Sequence, residues 1–189
     1  MLAAVLAAGA STRFGTAKQL AKFGNQTLIE HVQTVLLNST VDGVAVVLGS
    51  DLEAIRHHIL PGAHLLVNEI WQEGIASSIR QAADFADAQK ASHLLLLVCD
   101  QPYVSSCLVD KIVAISKFEP DKIIACRYGD TVGVPALFPG QSLTSLRALK
   151  GDAGAKSIIK QSAEVELVDF PEGLIDIDSQ ADIRSFVQN

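Results

Sequence analysis

Short apolar runs alternate with amphipathic stretches along almost the whole chain. Met1-Leu2-Ala3-Ala4-Val5-Leu6-Ala7 reads as a buried strand leading into the small residues Ala8, Gly9, Ala10 and Ser11. Thr27 and Glu30 have capping-box spacing, which predicts a helix starting near Thr27 with apolar residues continuing through Leu37. Val44 to Leu48 is a second strand ended by Gly49. Asp51 is placed to cap a short helix that Pro61-Gly62 stops. A third strand is expected over His64 to Val67 and a helix over Ile75 to Phe85. Leu94-Leu95-Leu96-Leu97-Val98-Cys99 is the strongest strand signal, a continuous apolar run suited to a central parallel strand covered on both faces.

Beyond it, Tyr103 to Lys117 reads as a helix and Lys122 to Cys126 as a strand. Arg127 to Asp130 reads as a turn, and Thr131 to Phe138 as an edge strand, because it contains Pro135. Short helices, apolar strands near Val165 and Leu174, and a helix from Ser179 complete the pattern. Alternating strands and helices predict an α/β fold with a mainly parallel sheet and right-handed crossovers. No repeat, low-complexity segment or linker divides residues 1–189, so one domain is expected.

Composition narrows the function classes. The formal charge of −6 argues against a broad electrostatic grip on nucleic acid, although a local cradle can still hold a small phosphorylated ligand. The apolar start is one strand long and has no basic leader, so neither a membrane span nor a secretory signal is expected. Cys99, Cys107 and Cys126 form no CxxC pair and are expected as reduced thiols of a cytoplasmic protein.

In open sheets of this class ligands bind beyond the carboxyl ends of the strands, so Gly9 to Lys18 should meet Asp100 on one rim. The segment Leu6-Ala7-Ala8-Gly9-Ala10-Ser11-Thr12-Arg13-Phe14-Gly15-Thr16-Ala17-Lys18 suits a polyphosphate. Small residues allow close backbone approach, amides donate to phosphate oxygens, and Arg13 and Lys18 add positive charge. It fits neither the GK[ST] phosphate loop nor GxGxxG. Asp100, directly after the leucine-rich strand, offers a hard oxygen to a magnesium ion. The competing bland roles are a turn for the small-residue loop and a helix cap or solvated residue for the aspartate.

LAAGASTRFGTAKQL resembles the signature of the molybdenum cofactor nucleotidyltransferases, and Cys99-Asp100-Gln101-Pro102 resembles the metal motif of their cytidylyltransferase branch. The resemblance implies a three-layer, Rossmann-like sheet of the nucleotidyltransferase type. It places Leu6, Ala7, Ala8, Gly9, Ser11, Arg13 and Lys18 around the triphosphate, with Arg13, Lys18 and Asp100 as the catalytic residues. Ile175 to Asp182 resembles the family's acidic segment before the last helix, which implies a second Mg2+ ligand there. Asp178 is the first choice and Asp176 the second; the ordinary alternative is that Asp178 caps the helix.

Asn68, Trp71, Gly74, Ser77 and Ser78 resemble the family's N-x-x-W-x-x-G segment, which implies a base-binding role for Gly74 and Ser77 against helix capping as the alternative. Gly133 to Phe138 and Gly151 to Lys156 resemble its acceptor side. Phe14 departs from the methionine common in relatives but stays bulky and apolar. The implied reaction is transfer of CMP from CTP to molybdenum-bound molybdopterin with release of pyrophosphate, the product passing to a recipient molybdoenzyme or its chaperone. Three alternatives stay open: GTP-dependent guanylyl transfer to the same cofactor, a nucleotide-sugar glycosyltransferase, and a non-catalytic nucleotide sensor.

Overall fold

The computed structural model describes residues 1–12, 14–179 and 181–183. The first half contains β1 (Leu2–Leu6), β2 (Lys22–Phe23), β3 (Gln26–Thr27), α1 (Leu28–Leu37), β4 (Gly43–Leu48), α2 (Leu52–Ile55), β5 (Ala63–Val67) and α3 (Ile75–Ala88). The second contains β6 (His93–Val98), α4 (Ser106–Ser116), β7 (Ile123–Tyr128), β8 (Thr131–Pro139), α5 (Leu143–Arg147), α6 (Lys156–Gln161) and β9 (Val165–Asp169). Seven strands form a sheet in the order β5-β4-β1-β6-β8-β7-β9, parallel except for β8.

Side chains alternate across the sheet, and both faces are covered. Ala3, Val5, Leu95 and Leu97 pack with Ile29, Val32 and Leu36 of α1 and Val109 and Ile112 of α4. Leu2, Ala4, Leu6, Leu94 and Leu96 pack on the other side with Ile79, Ala82 and Ala83 of α3 and Leu146 of α5. This double burial is why β6 is written as an unbroken leucine run. Truncating one of these leucines to alanine costs about 2–5 kcal/mol.

The local signal at Thr27 is realised in full. Thr27 Oγ1 accepts from the Glu30 amide at 3.3 Å, and the Thr27 amide donates to Glu30 Oε2 at 2.7 Å. Glu30 Oε1 also lies 2.8 Å from His58 Nδ1, so His58 serves the helix junction. The bond from the Thr27 amide, with His58 assisting, holds the Glu30 carboxyl down to about 2.

Several elements differ from expectation. β8 is interior, between β6 and β7, rather than an edge strand. Its register with β7 passes from Ala125↔Ala136 to Cys126↔Gly133, and its ladder with β6 ends at Ala136, so a bulge carries Pro135 past both ladders. β6 is central as expected but has one antiparallel neighbour. Asp51 precedes α2 in a left-handed conformation (φ +54°) and does not cap through its side chain, which accepts from Ser50 Oγ. α4 starts only at Ser106, because Ser105 Oγ takes the Leu108 amide. The segment near Leu174 is a 3-10 turn over Pro171–Leu174, started by the proline, not a strand. Among the described residues, no helix is long and apolar enough to cross a membrane.

Candidate active site

The strand order reverses between β1 and β6: β4 and β5 extend from one side of β1, and β6 returns on the other. Leu6 pairs with Val98, so the loop after β1 and the segment after β6 leave the sheet side by side at its carboxyl rim. They border a cleft of about 310 Å³. Leu6, Ala7, Ala8, Gly9 and Ser11 line one side; Lys18, Cys99, Asp100 and Asp178 line the other. The structure therefore brings together all these sequence candidates. Arg13 lies outside the described residues.

Gln19 holds the loop in place. It is 2% exposed; its Nε2 donates to the carbonyls of Ala7 at 2.8 Å and Gly9 at 3.0 Å, and its Oε1 accepts from Ser11 Oγ at 3.3 Å. The Ala8 carbonyl accepts from the Ser50 amide at 3.0 Å. Three successive oxygens of the loop are thus engaged by protein donors. Sequence reasoning missed Gln19, whose only signal was a polar amide next to Lys18.

The charged centre is assembled from three separate parts of the chain. Lys18 Nζ lies 2.7 Å from Asp100 Oδ2 and 3.0 Å from Asp178 Oδ1. Burial alone would push the ammonium toward neutrality, but the charge of Asp100 and the bonds that Lys18 donates to Asp100 and Asp178 outweigh it and raise its pKa. Cys99 behind Asp100 is pushed up to about 12 by burial and stays a neutral thiol.

Asp178 reaches this point because Ile177 is anchored beside it. The Ile177 amide donates to the Asp100 carbonyl at 2.9 Å, and its side chain is fully buried with Phe14 and Leu28. Residues 175–178 form no strand, yet Ile177 still separates the two aspartates. Asp178 meets Lys18, whereas Asp176 is exposed and outside the cleft lining. Although Asp176 keeps solvent contact, partial desolvation of its carboxyl, then the like charges of Asp100 and Asp178, push it up to about 6. Asp182 Oδ2 accepts from the amides of Asp178 and Ser179, and the Asp182 amide donates to Ser179 Oγ at 3.4 Å; the helix expected from Ser179 lies largely outside the described residues.

The segment after β5 approaches the cleft differently. Asn68 is fully buried; its Nδ2 donates to Ser77 Oγ at 2.8 Å and Ser78 Oγ at 3.0 Å, and its Oδ1 accepts from the Ile70 amide. Ser77 Oγ in turn donates to the Gly74 carbonyl at 2.8 Å. Ser77 is therefore engaged beneath the start of α3, and from this segment Ile75 lines the cleft. Trp71 is half-buried against Gly49 rather than in the core. Lys156 is exposed at the start of α6.

The donor set suits a hard divalent cation: two carboxylate oxygens already converge on one positive charge. Among the described residues no three His, Cys, Asp or Glu side chains are grouped to hold an ion. Two carboxylates leave most of an octahedral shell to water and ligand phosphates, as is usual for magnesium.

Residues 3–165 match the MobA-like NTP transferase domain. The chain belongs to that family. The MobA-like match runs from the second residue of β1 to the first residue of β9, taking in the loop after β1 and Asp100, but stops before Asp176 and Asp178. Among relatives of this MobA-like chain is a nicotine blue oxidoreductase of Paenarthrobacter nicotinovorans, 29% identical over 87% of the chain and 84% of that protein. A molybdenum cofactor guanylyltransferase of Neisseria meningitidis serogroup C is 32% identical over 62% of the chain, which spans 61% of that protein. Rv0371c of Mycobacterium tuberculosis H37Rv, solved in complex with manganese, superposes with a TM-score of 0.79 at 26% identity, covering 100% of this chain and 98% of that one.

Proposed function

We propose that this MobA-like nucleotidyltransferase transfers CMP from CTP to the terminal phosphate of molybdenum-bound molybdopterin in the cytoplasm, releasing pyrophosphate. The observation that carries the reading is the meeting of Lys18 with Asp100 and Asp178 at a cleft walled by residues 6–11. With the carbonyls of Ala7, Ala8 and Gly9 occupied by protein donors, a triphosphate would meet amide hydrogens rather than repelling oxygens. Arg13 and Lys18 would neutralise charge passing onto the leaving pyrophosphate. Asp100 and Asp178 would hold Mg2+, with Asp176 as the alternative ligand; the manganese complex of the mycobacterial relative supports a divalent ion at this fold. When bound, the ion supplies charge neutralisation and polarisation at the α-phosphate.

An oxygen of the acceptor phosphate attacks the α-phosphorus as the bond to the β-phosphate oxygen breaks. That oxygen is nucleophilic when ionised, so alignment and charge compensation suffice without a dedicated base. We assign Gly74 and Ile75 to the base side of the cleft, with Ser77 fixing the Gly74 carbonyl from below. The CDQP wording favours cytidine, while the Neisseria relative is named for guanylyl transfer. The product would pass to a molybdoenzyme or its chaperone.

The test is pyrophosphate release with CTP or GTP, with and without molybdenum-bound molybdopterin. CTP- and acceptor-dependent release is expected, with kcat lowered roughly a hundredfold or more in Asp100→Asn. Selective GTP turnover would reassign the base, and unchanged Asp100→Asn turnover would remove the metal role. Redox turnover of nicotine blue without pyrophosphate release would instead favour the oxidoreductase chemistry named for the Paenarthrobacter relative.

A further inference from the structure

Lys18 stands where two carboxylates converge. It is 82 residues from Asp100 and 160 from Asp178 in sequence, so only the fold brings the three together. Side-chain exposure is 14% for Lys18 and 24% for Asp100, which limits screening of the pair by water. Two carboxylates held this close repel unless a positive charge lies between them. A lysine suits a transient version of that role. Its ammonium is a compact charge on a flexible four-carbon stem, able to turn to a new partner.

We propose that Lys18 is a built-in counter-ion that holds Asp100 and Asp178 together before substrate arrives, so that the divalent cation and the nucleotide enter jointly. This rests on the reading of Asp100 and Asp178 as metal ligands. A cation arriving alone must displace the ammonium from both carboxylates, which forfeits two charge-assisted bonds. With a triphosphate in the cleft, the displaced ammonium gains a new anionic partner. The cost falls, and the two ligands bind with positive coupling. Because coupling is reciprocal, the cation strengthens nucleotide binding by the same factor.

The experiment measures Mn2+ binding by calorimetry and electron paramagnetic resonance on wild type, Lys18→Met and Asp100→Asn, with and without CTP and corrected for chelation by free CTP. Wild type should bind Mn2+ alone weakly and at least about tenfold more tightly with CTP. Lys18→Met should bind Mn2+ alone about tenfold more tightly than wild type and lose most of the CTP enhancement. Lys18→Met binding Mn2+ alone no more tightly than wild type overturns the counter-ion role, even if Asp100→Asn abolishes binding and the metal reading stands. Undiminished Mn2+ binding by Asp100→Asn in the presence of CTP overturns both.

A second measurement needs no variant. Mn2+ alone should increase acetylation of Lys18 in the wild-type protein, read by mass spectrometry, and CTP with Mn2+ should suppress it. Labelling unchanged by Mn2+ also refutes the proposal.

Discussion

Gly74 introduces α3 at φ +119°, a conformation that L side chains rarely adopt. A Cβ there would overlap Asp152 Oδ1 and lie 2.5 Å from the Gly151 carbonyl oxygen and 2.6 Å from its carbon. Asp152 is exposed and can turn away, but Gly151 cannot retreat freely. Its carbonyl accepts from the Ala76 amide at 3.1 Å, its amide donates to Glu73 Oε1 at 3.1 Å, and Arg80 holds the nearby Leu149 carbonyl at 2.8 Å. Gly74→Ala must therefore strain its own backbone, at about 1–3 kcal/mol, and break or stretch the Ala76–Gly151 bond, at about 1 kcal/mol. Together these give about 2–4 kcal/mol. With a urea slope of about 2 kcal/mol/M, the unfolding midpoint should fall by about 1–2 M at unchanged slope. Gly24→Ala is the control: its φ is +61° but nothing lies within 4 Å of the added Cβ, so it pays only the conformational part, about 1 kcal/mol. Adding Asp152→Ala to Gly74→Ala should restore little. Equal losses in the two glycine variants, or full rescue by Asp152→Ala, would refute the argument that the backbone of Gly151 is the obstacle.

Two further expectations follow from buried or bonded polar groups. Glu30 is held at about 2 in the folded chain against an ordinary 4.5, so its stabilisation is fully present above pH 4.5 and fades as pH falls toward 2. The stability gap between wild type and Glu30→Gln in urea titrations should accordingly narrow below pH 4.5; a constant gap from pH 7 to 3 contradicts the assignment. Asn68→Ala removes the donor to both serines and the acceptor for Ile70, and should cost about 2–3 kcal/mol by thermal unfolding while raising the KM for nucleotide, whereas a loss under about 0.5 kcal/mol would show that the network is not structural.

What the sequence disclosed depended on the range of the interaction that decides each feature. The Thr27–Glu30 box lies within one helical turn and was readable from spacing. The leucine run of β6 declared its burial on both faces, because nothing polar had to be turned toward water. The interior place of β8 was hidden, since Pro135 argues for an edge unless the bulge that bypasses it is seen. The acidic segment was partly legible: burial of Ile177 was enough to separate Asp176 from Asp178, although no strand forms. The choice of Asp178 over Asp176 as the partner of Lys18 depends on the Ile177–Asp100 bond, which joins segments far apart in the chain. Gln19 was illegible because its three bonds are to a loop whose shape no local pattern specifies.

The charges of the site are positioned by apolar packing more than by one another. Phe14, from the loop after β1, and Ile177, from the acidic segment, share a small cluster with Leu28, the first residue of the capped helix α1. That cluster fixes one side of Asp178, and the Ile177 amide bonded to Asp100 fixes the other. Asp100 itself follows a strand buried on both faces and paired in register with β1. The loop after β1, the β6 terminus and the acidic segment are therefore tied together by packing and one backbone bond, while Lys18 reaches Asp100 and Asp178 on a flexible stem. Phe14 contributes bulk rather than chemistry: its ring is buried in one cluster with Ile177 and Leu28.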